Sequence, residues 1–237
     1  MRAKFNEIIP QDVLNFLDDV VSKTKGYDVY LGGGYLRDLY YNQLNGFGDW
    51  RNYYLGKGVT NQPMVPKDLD IFFIPRVNED VQELPVLQKT YINYDIAAVD
   101  IPNVRENVKH VRGLFMKTLS TRDIQFIVYD KGMSMRELAE DMDISINQVM
   151  YSPDTQLSYM TDAFTNSHEY KTIHMLHKFE ISRMIARLKR MEKKFPDYAL
   201  VHDIPQEEID FYESLAEIEK RMKRRGASTG SFVSDEE

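Results

Sequence analysis

Apolar residues at Val13, Leu14, Leu17, Val20 and Val21 recur with helical spacing, predicting an amphipathic helix over 10–23 that Gly26 ends. A short β-branched and aromatic run at 28–31 predicts a strand. It runs into Gly32-Gly33-Gly34, after which Leu36, Leu39 and Tyr40 restore helical spacing to about position 42. Residues 68–74 read as a second strand, stopped by Pro75. Between them, 42–66 breaks the pattern with four glycines among Phe47, Trp50, Tyr53 and Tyr54, plus Arg51 and Lys57. It is longer than a usual connection. It reads either as a flap or base-stacking surface or as a loop whose aromatics pack on the domain.

Residues 78–97 give no firm pattern, although 91–99 has strand character and 104–110 suits a short helix. Strands are predicted over 113–119 and 124–129, joined by the polar turn Ser120-Thr121-Arg122. Residues 134–150 begin as a helix, and the polar stretch 151–166 is expected to be irregular. The strongest helical pattern covers 171–195, with Ile173, Leu176, Ile181, Met184, Ile185, Leu188 and Met191 on its apolar side. A last helix is expected over 205–225, and the Ser/Gly-rich 226–237, ending Asp-Glu-Glu, is expected to be disordered.

Composition narrows the class. The 237 residues, 43% hydrophobic, suffice for one large domain or two small ones. No apolar run approaches the ~20 residues a membrane span needs, and the N-terminus lacks a signal-peptide pattern. With no cysteine, disulfides and thiolate metal sites are excluded, and a cytoplasmic location is expected. The net charge of −7 argues against bulk attraction to nucleic acid while leaving room for a local basic groove. The 171–195 segment supplies one candidate. Lys178, Arg183, Arg187, Lys189, Arg190, Lys193 and Lys194 give either a solvated face or a contact for RNA or triphosphate.

The chemistry concentrates in 30–73. A glycine turn at a helix N-terminus leaves backbone N–H groups without intrahelical partners, a favourable position for phosphate oxygens. Asp68 and Asp70, two apart on a strand, send both carboxylates from one face with Cα atoms roughly 7 Å apart, within reach of one or two Mg²⁺ ions. A two-metal site requires a third carboxylate; Asp123, opening a neighbouring strand, is favoured over Asp95. A phosphate cradle beside paired aspartates implies phosphoryl or nucleotidyl transfer, although either half alone is common in proteins without it. His168, His174 and His177 lack a carboxylate at matching spacing and read as ordinary rather than as a zinc site. Neither Ser/His/Asp nor Cys/His catalysis has support.

Gly33-Gly34-Tyr35-Leu36-Arg37-Asp38, followed by Lys67-Asp68-Leu69-Asp70, resembles the head domain of the poly(A) polymerase and class II tRNA CCA-adding family, within the polymerase-β-like nucleotidyltransferases. A third segment is similar too. Ser134-Met135-Arg136-Glu137-Leu138-Ala139 leads to Asp143-Ile144-Ser145-Ile146-Asn147, keeping the family's Ser-to-Asp interval. Two family arginines are replaced there by Asp141 and Met142. In the family's Glu-Asp-x-x-Arg templating motif, Glu180 would stand for the Asp and Arg183 for the Arg, with Arg187 one turn further on. The similarity spans about 30–195, and most of the helical body and tail that hold tRNA in the CCA-adding enzymes has no counterpart.

The resemblance implies an α/β, polymerase-β-like nucleotidyltransferase fold: a small mixed sheet flanked by helices, then a short helical C-terminal part. It divides the chain into a catalytic domain over 1–155, a helical part over 156–225 and a tail over 226–237. It implies Mg²⁺-dependent transfer of a nucleoside monophosphate from an NTP such as ATP to a hydroxyl acceptor, foremost an RNA or tRNA 3′ end. Asp68, Asp70 and Asp123 would be catalytic metal ligands. Gly33, Gly34, Arg37, Asp143, Asn147, Glu180, Arg183 and Arg187 would bind nucleotide. Arg37 would reach a phosphate or pair with a buried carboxylate, and Asp38 would orient the helix. Compact relatives of this kind occur in bacteriophage and bacterial genomes. The alternatives are a degenerate fold that binds nucleotide or protein without turnover, and nucleotidyl transfer to protein.

Overall fold

The computed structural model describes residues 4–48, 62–66, 68–76, 97–98, 111–119, 122–129, 131–176 and 181–228. They fall into two compact units, Met1–His177 and Lys178–Glu237. The expected boundary at 155/156 lies inside the first unit, between two strands that pair with each other.

The first unit is built on a seven-stranded mixed sheet in the order β3-β4-β5-β2-β1-β6-β7. Its strands are β1 (Tyr27–Gly32), β2 (Leu69–Pro75), β3 (Ala97–Ala98), β4 (Val111–Leu119), β5 (Arg122–Tyr129), β6 (Val149–Tyr151) and β7 (Ser158–Met160). Only β2 and β5 run parallel; the other neighbours are antiparallel. The central strand β2 is nearly all apolar because both its faces are buried. Leu69, Ile71 and Phe73 join the larger core with Val29, Leu31, Ile124, Phe126 and Val128. Phe72 and Ile74 join the smaller one with Tyr30, Ile127, Tyr129 and Met150. Alternation along the strand therefore assigns Asp70 to the face of Phe72 and Ile74.

Helices α1 (Phe5–Ile8), α2 (Gln11–Lys23), α3 (Gly34–Leu44) and α5 (Asp162–Glu169) contribute Phe5, Val13, Leu17, Val20, Leu36, Leu39 and Phe164 to the larger core. Of the stripe expected on α2, Val13, Leu17 and Val20 are fully buried, while Leu14 and Val21 sit at its margin. Helix α4 (Met135–Glu140) brings Leu138 and Ala139 to the smaller core. It opens with a reciprocal capping box. Ser134 Oγ accepts the Glu137 N–H, and Glu137 accepts the Ser134 N–H at 2.8 Å.

Three expectations need correction. The polar stretch 151–166 is ordered. It holds β7 and the start of α5, whose N-cap Thr161 accepts the Phe164 N–H at 3.0 Å. The helix expected from position 171 does not begin there. Lys171 takes a left-handed φ of 50° and the β-branched Thr172 and Ile173 lie in strand β8 (Thr172–His174). Ile173 is fully buried in that strand, whereas Leu176, assigned to the same apolar side, is exposed. His174 and His177 therefore do not share a helix; His177 lies outside the described residues. Lastly, the C-terminal helix continues through Ser228, so 226–228 are helical and the rest of the expected tail lies outside the described residues. The same holds for the expected helix 104–110, most of 91–99 and most of the 42–66 insert.

The second unit contains α6 (Ile181–Lys194), β9 (Ala199–Val201) and α7 (Gln206–Ser228). Met184, Ile185, Leu188 and Met191 are buried along α6 as its period predicts. Lys189 and Glu213 form an ion pair between α6 and α7, and Phe195 packs on Tyr198 at 5.1 Å.

Candidate active site

The site begins where β1 turns into α3. Gly33 holds φ 70° and ψ −138°, a backbone conformation that an L side chain strongly resists. Its N–H donates to the Val149 carbonyl at 3.3 Å, and its own carbonyl accepts the Arg37 N–H at 3.1 Å. The N–H groups of the first turn of α3 have no intrahelical acceptors and head the positive end of the helix dipole. The flanking glycines serve packing instead. A Cβ on Gly32 would overlap Met150 Sδ, and one on Gly34 would stand 3.3 Å from an Arg37 guanidinium nitrogen.

Beside this turn lies Asp70. The β1–β2 register pairs Gly32 with Asp70, and a Cβ on Gly33 would stand 3.2 Å from Asp70 Oδ2. Asp70 is half-buried, while Asp68, just ahead of β2, is exposed. On the other side of β2, the parallel register pairs Leu69 with Ile124 and Asp70 with Gln125. Position 123 therefore falls at the same strand end as Asp68 and has the strand parity of position 70. The Asp123 side chain lies outside the described residues, as do position 95 and Lys67.

Behind the turn is a buried polar network. Arg37 and Asp38 are 5% and 2% exposed, and Arg37 Nε donates to Asp38 Oδ1 at 2.9 Å. Arg37 Nη1 donates to Asn147 Oδ1 at 2.8 Å, tying α3 to the short 3-10 turn Ser145–Asn147. Of the two roles open to Arg37, the structure shows the pairing with a buried carboxylate. Asp38 anchors it, consistent with an orienting role.

His168 completes the cluster. Its ring lies 4.9 Å from those of Tyr40 and Phe164. Burial, aided by the nearby Arg37 charge and opposed by Asp38, pulls its pKa down to about 3. The imidazole is therefore neutral at pH 7.

The Asp143–Asn147 segment is equally fixed. Asp143 is buried, and its carbonyl accepts the Leu176 N–H at 2.9 Å. Ser145 Oγ accepts the His174 N–H at 2.9 Å and lies 2.6 Å from Ser167 Oγ. Because Ser167 gives its proton to the Ala163 carbonyl, the Ser145 hydroxyl is the donor between the two. Gln148 closes the turn, donating to the carbonyls of Glu140 and Met142 and accepting from Thr161 Oγ1.

The structure thus brings Gly33, Gly34, Arg37, Asp70 and Asn147 together, with Asp68 alongside. Arg183 and Arg187 lie four residues apart on α6 in the second unit, and Glu180 lies outside the described residues. Two contributors escaped the sequence reading. His168, expected to be an ordinary histidine rather than a zinc ligand, is buried because it lies on α5, within a stretch expected to adjoin irregular chain. Asn42 is 1% exposed. Its amide donates to the Met64 carbonyl and accepts the Met64 N–H, both at 2.7 Å, clamping the two ends of the 42–66 insert. A lone Asn at a helix end carries no signal for a partner so far along the chain.

No family model matches the sequence, and neither does any curated protein. Among solved structures, the fold is similar to that of the Thermotoga maritima CCA-adding enzyme, solved in complex with tRNA, at a TM-score of 0.53 and 15% identity. The match covers 92% of this chain but only 46% of that enzyme, so this chain spans less than half its length. The fold is accordingly nucleotidyltransferase-like. Among the described residues, no helix is long and apolar enough to cross a membrane.

Proposed function

We propose that the chain is a Mg²⁺-dependent nucleotidyltransferase that moves a nucleoside monophosphate from an NTP to a hydroxyl acceptor, foremost an RNA 3′ end. One observation carries the reading: the Asp70 carboxylate lies against the Cβ-less backbone of Gly33, at the N-terminus of α3. A negative group beside a phosphate-binding turn opposes phosphate binding unless a cation lies between them. Mg²⁺ suits such a position, because it takes one or two hard carboxylate oxygens and retains several waters; among the described residues no larger ligand cluster comes together. Asp68 and Asp70 would hold it, with Asp123 as the third ligand. When bound, the metal would lower the pKa of the acceptor hydroxyl and neutralise charge on the triphosphate.

The protein's own contribution is positioning. The α3 N–H groups would receive phosphate oxygens, and Arg37, held by Asp38 and Asn147, would fix the turn rather than touch substrate. Arg183 and Arg187 would contribute cations or a base-reading edge.

The reading is tested by incubating the protein with each α-labelled NTP, Mg²⁺ and either total RNA or purified tRNA. Label entering RNA, and lost in Asp70→Asn, is expected. Label appearing on protein instead would redirect the acceptor assignment. Asp141 and Met142, standing where the family has arginines, favour a second reading of nucleotide binding without turnover. Under that reading, Mg²⁺-dependent binding of a fluorescent NTP would persist with no label transferred.

A further inference from the structure

We propose that the outer face of α7 pairs antiparallel with the same helix of a second copy of this chain. The helix runs 23 residues, about 34 Å. Along it Phe211, Leu215, Ile218 and Met222 are 58%, 40%, 48% and 67% exposed. Their 4-3-4 spacing is the seam of a coiled coil. It is not the face that the second unit already uses: Gln206, Ile209 and Glu213 line a cavity shared with α6, and Glu213 pairs with Lys189.

The charge pattern selects the occupant. From Gln206 to Glu219 the sequence has six carboxylates and no cation; from Lys220 to Ser228 it has five cations and no carboxylate. An acidic start and a basic end favour any isolated helix through its dipole, but that effect fades within the terminal turns. Glu213 is answered by Lys189 of α6, which leaves Glu217 and Glu219 in the middle without an explanation. The Glu217–Arg221 pair at 3.4 Å is exposed and accounts for little.

A second copy laid antiparallel resolves the pattern. The acidic half of each helix then runs along the basic half of the other, whereas parallel pairing sets like charges side by side. The 4-3-4 spacing is also unchanged by reversal. Phe211 meets Met222 of the partner subunit while Leu215 meets Ile218 of the partner subunit. The four apolar layers of an antiparallel seam form without a shift in register.

The experiment is sedimentation equilibrium of the full chain over about 1–300 µM, a range that reads a dissociation constant typical of a small interface. The expected result is an average mass rising from 27.8 kDa toward twice that value. The double variant Leu215→Glu/Ile218→Glu is expected to stay at the monomer mass with an unchanged circular dichroism spectrum, since both residues are exposed. Orientation is read separately, because the chain has no cysteine of its own. Glu207→Cys and Ser228→Cys proteins, mixed and oxidised, are expected to cross-link to each other and not to themselves. Monomer mass at every concentration overturns the proposal, as does a dimer indifferent to the double variant. Self-cross-linking of Glu207→Cys would establish the parallel pairing and overturn the antiparallel one. Loss of RNA binding by the double variant of a strictly monomeric protein would assign the face to nucleic acid instead.

Discussion

Neutral His168 makes the fold acid-sensitive in a way that can be isolated. In the unfolded chain its pKa returns to about 6.5, whereas in the native state it is about 3. Between those values the unfolded chain binds a proton that the native state refuses. Stability therefore rises with pH across that window and falls on acidification. The slope approaches about 1.4 kcal/mol per pH unit below the upper value. Integrated from pH 7 to pH 5, the loss is about 2 kcal/mol. Other carboxylates titrate in the same range, so the useful quantity is a difference. Urea denaturation of wild type and of His168→Gln, which cannot titrate, gives both stabilities by linear extrapolation at each pH. The wild-type advantage over the variant is expected to shrink by about 2 kcal/mol on going from pH 7 to pH 5. An advantage constant to within half that amount would refute the reasoning, as would a resonance assigned to the His168 imidazole titrating near 6.5.

Other predictions follow from the same geometry. Gly33→Ala should cost about 1–3 kcal/mol from its backbone conformation. It should also abolish nucleotide binding more completely than that loss explains, which thermal melts with and without NTP and Mg²⁺ would show. Asn42→Ala should destabilise by about 1–3 kcal/mol by leaving the Met64 backbone groups unpaired, as urea denaturation would measure. Arg183→Ala should change the relative use of the four NTPs by an amount worth about 1–3 kcal/mol if it pairs with a base edge. A preference profile identical to wild type would leave α6 as scaffold.

The parts of the fold legible in the sequence are those fixed locally. A strand, a turn that demands a glycine and an apolar-spaced helix follow each other in β1, Gly33 and α3, with no distant partner required. The β4–β5 hairpin and the amphipathic α2 and α6 are of the same kind. Where the outcome depends on remote hydrogen bonds, the pattern misled. Ile173 and Leu176 fit the helical period of α6, yet the Ser145 hydroxyl holds the His174 N–H and so secures this segment as a strand. The second partner of Arg37 was hidden for a similar reason: Asn147 lies 110 residues further along the chain.

The departures at positions 141 and 142 also acquire a physical reading. Asp141 ends α4, its N–H bonded to the Glu137 carbonyl at 2.9 Å. Met142, partly buried, packs against the smaller core. An arginine there would have to extend past this apolar surface to reach solvent, losing packing that methionine supplies. The neighbouring Asn147, by contrast, has a demanding role, because removing its carbonyl would take an acceptor from the buried Arg37. The segment therefore holds the group that positions the glycine turn and presents no cation at 141 or 142. Under the proposed function, countercharge to the triphosphate would come from the α3 N-terminus, from a metal at Asp68 and Asp70, or from cations elsewhere in the chain. A phosphate contact from Arg183 would strengthen binding of all four NTPs alike, whereas a base-edge contact would favour some over others, so binding of each NTP to Arg183→Ala at saturating Mg²⁺ tells the two roles apart.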